Sequence, residues 1–287
     1  MIDKKRDSQR NLYLHNLIDL RKHWSMEEYQ TISVKPEGKT LNLWLNRSEV
    51  HNALNRQMIV ELHRFFQWAE EQPHFRFVVI RGHGKSFCAG ADLNWMKESA
   101  NLSDAENLDD SRLLTQMLMA IFRSSKVVIG AAYGNIFGGG TGLLAACDMA
   151  YTVTRARFSL SETRLGLVAA SITPLLLKRM KPSRLKELIF SGSHFNGTEA
   201  FENGLADRVF ESVEEMDRYI LQLLEQMLKG GPRAVVRSKQ LINELTDGPS
   251  MDEYMKQMPE LLAEVRVTPE AQEGITAFLE KRTPDWP

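Results

Sequence analysis

The chain has 287 residues, 43% hydrophobic and 25% charged, with a formal net charge of −1. That length suits a globular protein with a real core, and the balanced charge gives no global attraction to nucleic acid or an anionic membrane. Two cysteines, Cys88 and Cys147, are too few for a disulfide framework and read as reduced thiols of a cytoplasmic protein, and no apolar run approaches the ~18 residues of a membrane span.

Residues 1–26 are basic and polar and lack the apolar centre of a secretory signal; Asp3, Asp7 and Asp19 also argue against a transit peptide. They are expected to be an appendage to a core over residues 27–211. Within that core Thr40–Leu45 alternates, while residues 77–80, Val127–Ala132 and Met149–Val153 are largely continuous apolar runs. Continuous runs predict strands covered on both faces, as in parallel sheets. Helical patterns lie between them. Residues 55–71 place Met58, Ile59, Leu62, Phe65, Phe66 and Ala69 on one face, and Ser103-Asp-Ala-Glu106 is a capping box opening a helix to about Arg123. The alternation predicts an α/β fold. From Ser212 the texture changes: Ser212-Val-Glu-Glu215 is a second capping box, Thr268-Pro269 opens a last helix, and residues 212–287 are expected to form a helical region.

The stretch GNIFGGGTGLLAACD, residues 134–148, sets three glycines before an apolar run. Consecutive glycines cost backbone entropy, so their presence implies a close approach to the main chain. Gly140-Thr-Gly142-Leu-Leu-Ala145 fits G-x-G-x-x-A, with Glu162 at 162 − 142 = 20 residues beyond Gly142. Several elements precede it, however, and the next strand runs into Thr154-Arg155, so a dinucleotide site is the poorer reading. The better one is a helix N-terminus whose free N–H groups receive an anion formed during reaction. GKSFCAGADLNWM, residues 84–96, is a second tight turn entering a helix and offers a second donor; two donors aimed at one oxygen make an oxyanion hole.

These motifs together resemble the crotonase (enoyl-CoA hydratase/isomerase) superfamily: FCAGAD at residues 87–92, Gly138-Gly-Gly, Cys147-Asp148, LNRSEVHNALN, FSLSETRLGLV, GLADRVF and EGITAFLEKR. The resemblance covers about residues 28–286. It implies a spiral of ββα units, a C-terminal helical trimerisation region giving a homotrimer or hexamer, and a CoA thioester as substrate with no further cofactor. It implies that the N–H groups of Ala91 and Gly139 form the oxyanion hole, that the backbone at Ala89 meets the adenine, and that Phe278 and Lys281 lie near the CoA nucleotide, often across a subunit boundary. Of the family's two catalytic glutamates it retains Glu162, whereas the other slot holds Gly142. A single carboxylate serves either hydration or Δ3,Δ2-isomerisation. Features such as Asp92-Leu-Asn-Trp-Met96 resemble the methylglutaconyl-CoA and geranyl-CoA hydratases, which nominates 3-methylglutaconyl-CoA, with Arg164 as the cation for its terminal carboxylate. Asp92 and Asp148 are expected to be structural, Cys88 and Cys147 buried packing groups, and none of His51, His83 or the other histidines to ligate a metal. A non-catalytic scaffold that binds RNA through the basic tail is the rival from another class.

Overall fold

The computed structural model describes residues 29–248 and 250–286; the predicted appendage, residues 1–26, lies outside them. Nine strands and eleven α-helices are found among the described residues. β1 (Ile32–Glu37) and β2 (Thr40–Leu45) form a hairpin in register from Ile32↔Leu45 to Glu37↔Thr40. Its two-residue turn carries Gly38 at φ 55°, a conformation that favours glycine. The alternation read over Thr40–Leu45 is seen in β2, with Leu41, Leu43 and Leu45 all buried.

α1 (Arg56–Glu70) follows, capped by Asn55, whose side chain accepts from the Met58 N–H. Its apolar face, Met58, Ile59, Leu62, Phe65, Phe66 and Ala69, is buried as the spacing predicts. β3 (Phe77–Gly82), α2 (Leu93–Ser99), α3 (Asp104–Phe122) and β4 (Val127–Ala132) come next. The Ser103–Glu106 capping box at the start of α3 is present in both halves. β5 (Asn135–Phe137), α4 (Gly139–Ala145), β6 (Met149–Val153) and β7 (Arg157–Ser159) follow, then α5 (Thr173–Leu177), α6 (Pro182–Ser191), β8 (His194–Asn196), α7 (Gly197–Glu202) and β9 (Arg208–Phe210).

The main sheet runs β1-β2-β3-β4-β6-β9 and is parallel from β2 onward. All six residues of β4 are buried, which is why its sequence shows no alternation. A second sheet, β5-β7-β8, pairs β5 with β7 in parallel and β7 with β8 antiparallel. This α/β arrangement of two sheets is the predicted fold class. After β9 the described chain is helical: α8 (Val213–Met227), α9 (Pro232–Asp247), α10 (Met251–Arg266) and α11 (Pro269–Leu279).

The predicted box at Ser212 forms only in part. Ser212 Oγ accepts from the Glu215 N–H, but the Glu215 carboxylate accepts from Glu211 N rather than from its own cap. Thr268 caps α11 with Pro269 at its first position, as expected.

Candidate active site

Two loops, each ending a strand of the parallel sheet, are sewn together by main-chain hydrogen bonds. Phe87 N donates to Tyr133 O (2.8 Å), Cys88 N to Asn135 O (3.2 Å) and Phe137 N to Cys88 O (3.0 Å). A Cβ on Gly140 would lie 2.3 Å from Cys88 O, so the loops touch backbone to backbone. A third segment locks the first loop from its other side: Leu54 N donates to Gly90 O (2.7 Å) and Leu54 O accepts from Asp92 N (2.9 Å). In a parallel bridge of this kind the central residue, Ala91, turns its own N–H away from the strand that flanks it.

Gly138 is the N-cap of α4 at φ 45°, ψ −115°, and Gly139 is the first helical residue. The first N–H groups of a helix have no intrahelical acceptor and carry the positive end of its dipole. Among the described residues no backbone or side-chain group accepts from the N–H of Ala91 or of Gly139. A Cβ on Gly139 would lie 3.0 Å from Leu54 Cδ1, the side chain of the residue bridged to Ala91. The two predicted donors therefore flank one leucine.

Glu162 opens a 3-10 turn, Glu162–Leu165, separated from β7 only by Leu160 and Ser161. The sheet brings it back to the glycines, since Gly138 N donates to Ser159 O (2.9 Å) and β7 lies in register with β5. A Cβ on Gly138 would lie 2.9 Å from Glu162 Oε1, so a side chain there would displace the carboxylate, and the φ of 45° separately favours glycine. Glu162 Oε2 is buried without a hydrogen-bond partner. Burial pushes the Glu162 carboxyl above its ordinary range, and the residue's own N–H offsets only part of this. A half-buried carboxylate with an unpartnered oxygen is suited to moving a proton.

The remaining predicted residues fall into three groups. Asp92 and Asp148 are structural. Asp92 caps α2 and pairs with Arg47 at 2.8 Å; burial pushes its carboxyl up, but Arg47 and the N–H groups of Asn94 and Trp95 outweigh that and hold it low. Asp148 accepts from Val128 N and from Lys239 Nζ, both at 2.7 Å. Burial holds both thiols up at about 12, so Cys88 and Cys147 are packing groups at neutral pH.

Ala89 donates its N–H to His51 O (3.0 Å), while no described group donates to its carbonyl. Phe278 is 82% exposed and Lys281 is exposed at φ 57°. Neither side chain makes a hydrogen bond or ring contact with the loops around Ala91, Gly139 and Glu162 among the described residues. The expectation for Arg164 is corrected. Its Nε and Nη2 donate to Ser191 O at 3.2 and 2.9 Å, closing the C-terminal end of α6. That guanidinium is committed to a helix end.

Two residues escaped sequence reasoning. Asn52, fully buried at φ 55°, donates to His83 O and Ser86 O and accepts from Arg47 N, fixing the first loop from below. The signal was an asparagine in a short polar turn, where left-handed backbone is tolerated. Ile172, 3% exposed, fills the space beside Gly142: a Cβ there would lie 2.0 Å from Ile172 Cγ2. The slot of the missing glutamate is thus occupied. An open groove of about 1260 Å³ between α3, α5 and α9 holds none of the candidate residues.

Comparison with known proteins agrees with this geometry. Residues 37–287 match the family model described as enoyl-CoA hydratase/isomerase. The 2,3-dehydroadipyl-CoA hydratase of Escherichia coli (strain K12) is 32% identical over 254 residues, covering 88% of this chain and 97% of that protein. The carnitinyl-CoA dehydratase of Proteus mirabilis (strain HI4320) is 33% identical over 263 residues, covering 90% and 98%. The crystal structure of an enoyl-CoA hydratase from Shewanella pealeana superposes with a TM-score of 0.87 at 29% identity, covering 91% of this chain and 97% of that one. With matching motifs, fold and loop geometry, the chain belongs to the enoyl-CoA hydratase/isomerase family, the crotonase superfamily.

Proposed function

We propose that this protein adds water reversibly to the double bond of an enoyl-CoA thioester, with one carboxylate doing the proton work. The observation that carries the reading is the unpartnered Glu162 oxygen beside Gly138, one residue before the free N–H of Gly139. The thioester carbonyl accepts from the N–H groups of Ala91 and Gly139. Its oxygen is neutral in the ground state and enolate-like in the transition state, so fixed donors stabilise the second more than the first.

Water attacks C3 as its proton passes to the Glu162 carboxylate, and the displaced electron pair collects on the thioester oxygen. The enolate then takes a proton from the Glu162 carboxyl at C2, which restores the carboxylate and completes the addition. Nothing else is consumed, and no cofactor beyond the CoA of the substrate takes part. The free carbonyl of Ala89 suits the exocyclic amine of adenine. We assign Phe278, exposed near the end of α11, and Lys281, exposed just beyond it, to the nucleotide of a neighbouring copy in a homotrimer or a dimer of trimers. We assign the protein to the cytoplasm, on its reduced thiols and on a described structure in which no helix is long and apolar enough to cross a membrane.

The acyl group nominated by the sequence is 3-methylglutaconyl. Its terminal carboxylate needs a cation, and with Arg164 held at Ser191 that part of the proposal rests on the sequence resemblance alone. A second reading, Δ3,Δ2-isomerisation, is favoured by the apolar side chain in the Gly142 slot: one carboxylate shuttling a proton between two carbons needs no held water.

Incubation of the full chain with crotonyl-CoA, 3-methylglutaconyl-CoA and 3-enoyl-CoA in heavy-oxygen, deuterated water separates these readings. Label at C3 establishes hydration. A moved double bond with no added oxygen establishes isomerisation, whether or not deuterium enters from solvent. Unchanged thioesters across the panel reject both and leave the scaffold.

A further inference from the structure

Gly142 N donates to Gly138 O (3.1 Å), so positions 138 and 142 lie one turn apart at the start of the glycine-led helix. The structure shows what each position meets. A Cβ at 138 would meet Glu162 Oε1 at 2.9 Å, and a Cβ at 142 would meet Ile172 Cγ2 at 2.0 Å and Ile172 Cβ at 2.7 Å. Glu162 and Ile172 therefore both pack against the first turn of α4, one polar and one apolar. Ile172 is 3% exposed and precedes α5, whose Leu175 and Leu176 are also buried. Its β-branched side chain has one strongly preferred χ1 and no polar atom, so it is a stiff, dry filler.

We infer that Ile172 is a specificity-determining wall: it takes the space of a second carboxylate, keeps water from settling next to Glu162, and so sets how the enzyme divides an enolate between hydration and double-bond transfer. This rests on the proposed thioester chemistry for its catalytic part. Its physical part, an apolar side chain filling the slot at position 142 on the same turn that faces the carboxylate, stands by itself. The wall and the glycine also imply each other. Position 142 stays glycine because Ile172 leaves no room for a Cβ, and a glutamate restored there needs the isoleucine shortened first.

The test uses the full chain with Ile172→Ala, Ile172→Val, Gly142→Glu and the double variant Gly142→Glu/Ile172→Ala. Two quantities are read: the ratio of hydrated to double-bond-shifted product, and the ionisation midpoint of Glu162 from carboxyl infrared difference spectra with Glu162→Gln subtracted. Ile172→Ala opens the slot, so the product ratio rises and the midpoint moves down toward that of an ordinary carboxylate. Ile172→Val keeps Cβ and both γ positions, the atoms that fill the slot, so it leaves both quantities close to the parent's and serves as the control, while the melting of Gly142→Glu serves where the alanine variant fails to fold. The double variant raises the ratio by ~10-fold, a modest share of the ~10²–10⁴ that a placed acid or base supplies. Gly142→Glu alone loses soluble yield or melting temperature, and shortening Ile172 restores it.

A midpoint and a ratio that do not move in folded Ile172→Ala overturn the inference, as does an Ile172→Val variant that moves them as far as alanine does, or a Gly142→Glu single variant as stable as the parent. If the parent turns over no enoyl-CoA while the midpoint still falls in Ile172→Ala, the proposed reaction is rejected and the wall is retained. An unmoved midpoint rejects the wall whatever the turnover.

Discussion

The α/β core and the C-terminal helices spend their apolar residues in opposite ways. In the core β4 is buried along its whole length, β3 nearly so, and Phe65, Phe66, Phe77, Phe87 and Phe158 are sealed from solvent. In the helical region no described residue of α9 or α10 is fully buried, and α11 buries only Ala277. Ile242, Met251, Met255, Leu262, Val267, Phe278 and Leu279 all face outward in a single chain. The helices are nevertheless anchored. Lys239 Nζ reaches Asp148 and Lys126 O at 2.7 and 2.9 Å, and Arg76 donates to the last carbonyls of α8 and to Gly230. One region completes itself, whereas the other holds its place and still offers an apolar face, the mark of an interface. In the proposed assembly that face is covered by copies of the same chain. In the proposed reading the core carries the chemistry and assembly completes the nucleotide site.

The sharpest way to break that division is Glu162→Gln. Turnover is expected to fall by ~10²–10⁴ while binding of a saturated acyl-CoA persists within a few-fold, measured by steady-state kinetics and calorimetry. Parental turnover in this variant removes Glu162 from the reaction. Gly139→Pro comes next. Proline is tolerated at the first helical position and lacks the N–H, so the variant deletes one proposed donor with little cost to the helix, while its Cβ requires Leu54 Cδ1, 3.0 Å away, to give slightly. The expected loss is ~10²–10³ in kcat with KM nearly constant, the pattern of an interaction made in the transition state. A rise confined to KM assigns Gly139 to ground-state binding instead.

On the other side of the comparison, Leu262→Glu with Leu279→Glu places two charges on the exposed helical face. Light scattering is expected to show a smaller species, with KM for the CoA ester raised ~10-fold because Phe278 and Lys281 no longer meet a neighbour. The core's far-UV signal and first melting transition change little. A parent chain that is already monomeric, or a variant whose mass is unchanged, ends the assembly half of the argument.

What the sequence made legible follows the same division. Long elements with strong patterns were readable: the buried runs of β3, β4 and β6, the face of α1, and the capping box of α3. β5, β7, β8 and β9 have three residues each, too few for any periodicity to register, and they are fixed by register with neighbours distant in sequence. The glycines announced a close approach to backbone, but not what approaches. That Gly138 faces Glu162 and Gly142 faces Ile172 depends on β7 returning beside β5 and on α5 packing against α4. Arg164 looked available because its charge is visible in sequence; the carbonyl that engages it, Ser191 O, belongs to an element 27 residues on.

The smallest predicted effect tests the environment of Glu162 without any substrate. Burial raises its folded carboxyl above the value in the unfolded chain. A raised acid favours folding while protonated, so its contribution is fully present below the unfolded value and is lost as pH rises through the folded one. At pH 7–8 the ionised side chain therefore costs stability, with a buried oxygen left unpaired. Glu162→Gln removes the charge and keeps the shape, so the variant is expected to melt higher than the parent at pH 8, by roughly 2–4 °C for a gain of about 1 kcal/mol in a chain of this size. The gain shrinks toward zero as pH is lowered toward the ordinary glutamate range. The catalytic consequence has the matching sign: Glu162 must start as the carboxylate to take the first proton, so kcat/KM declines on the acid side at a pH above that of a free glutamate. A variant that melts lower than the parent at pH 8, or a gain that grows on acidification, means that Glu162 is solvated or paired in the folded protein, and the core loses the group on which its chemistry was built.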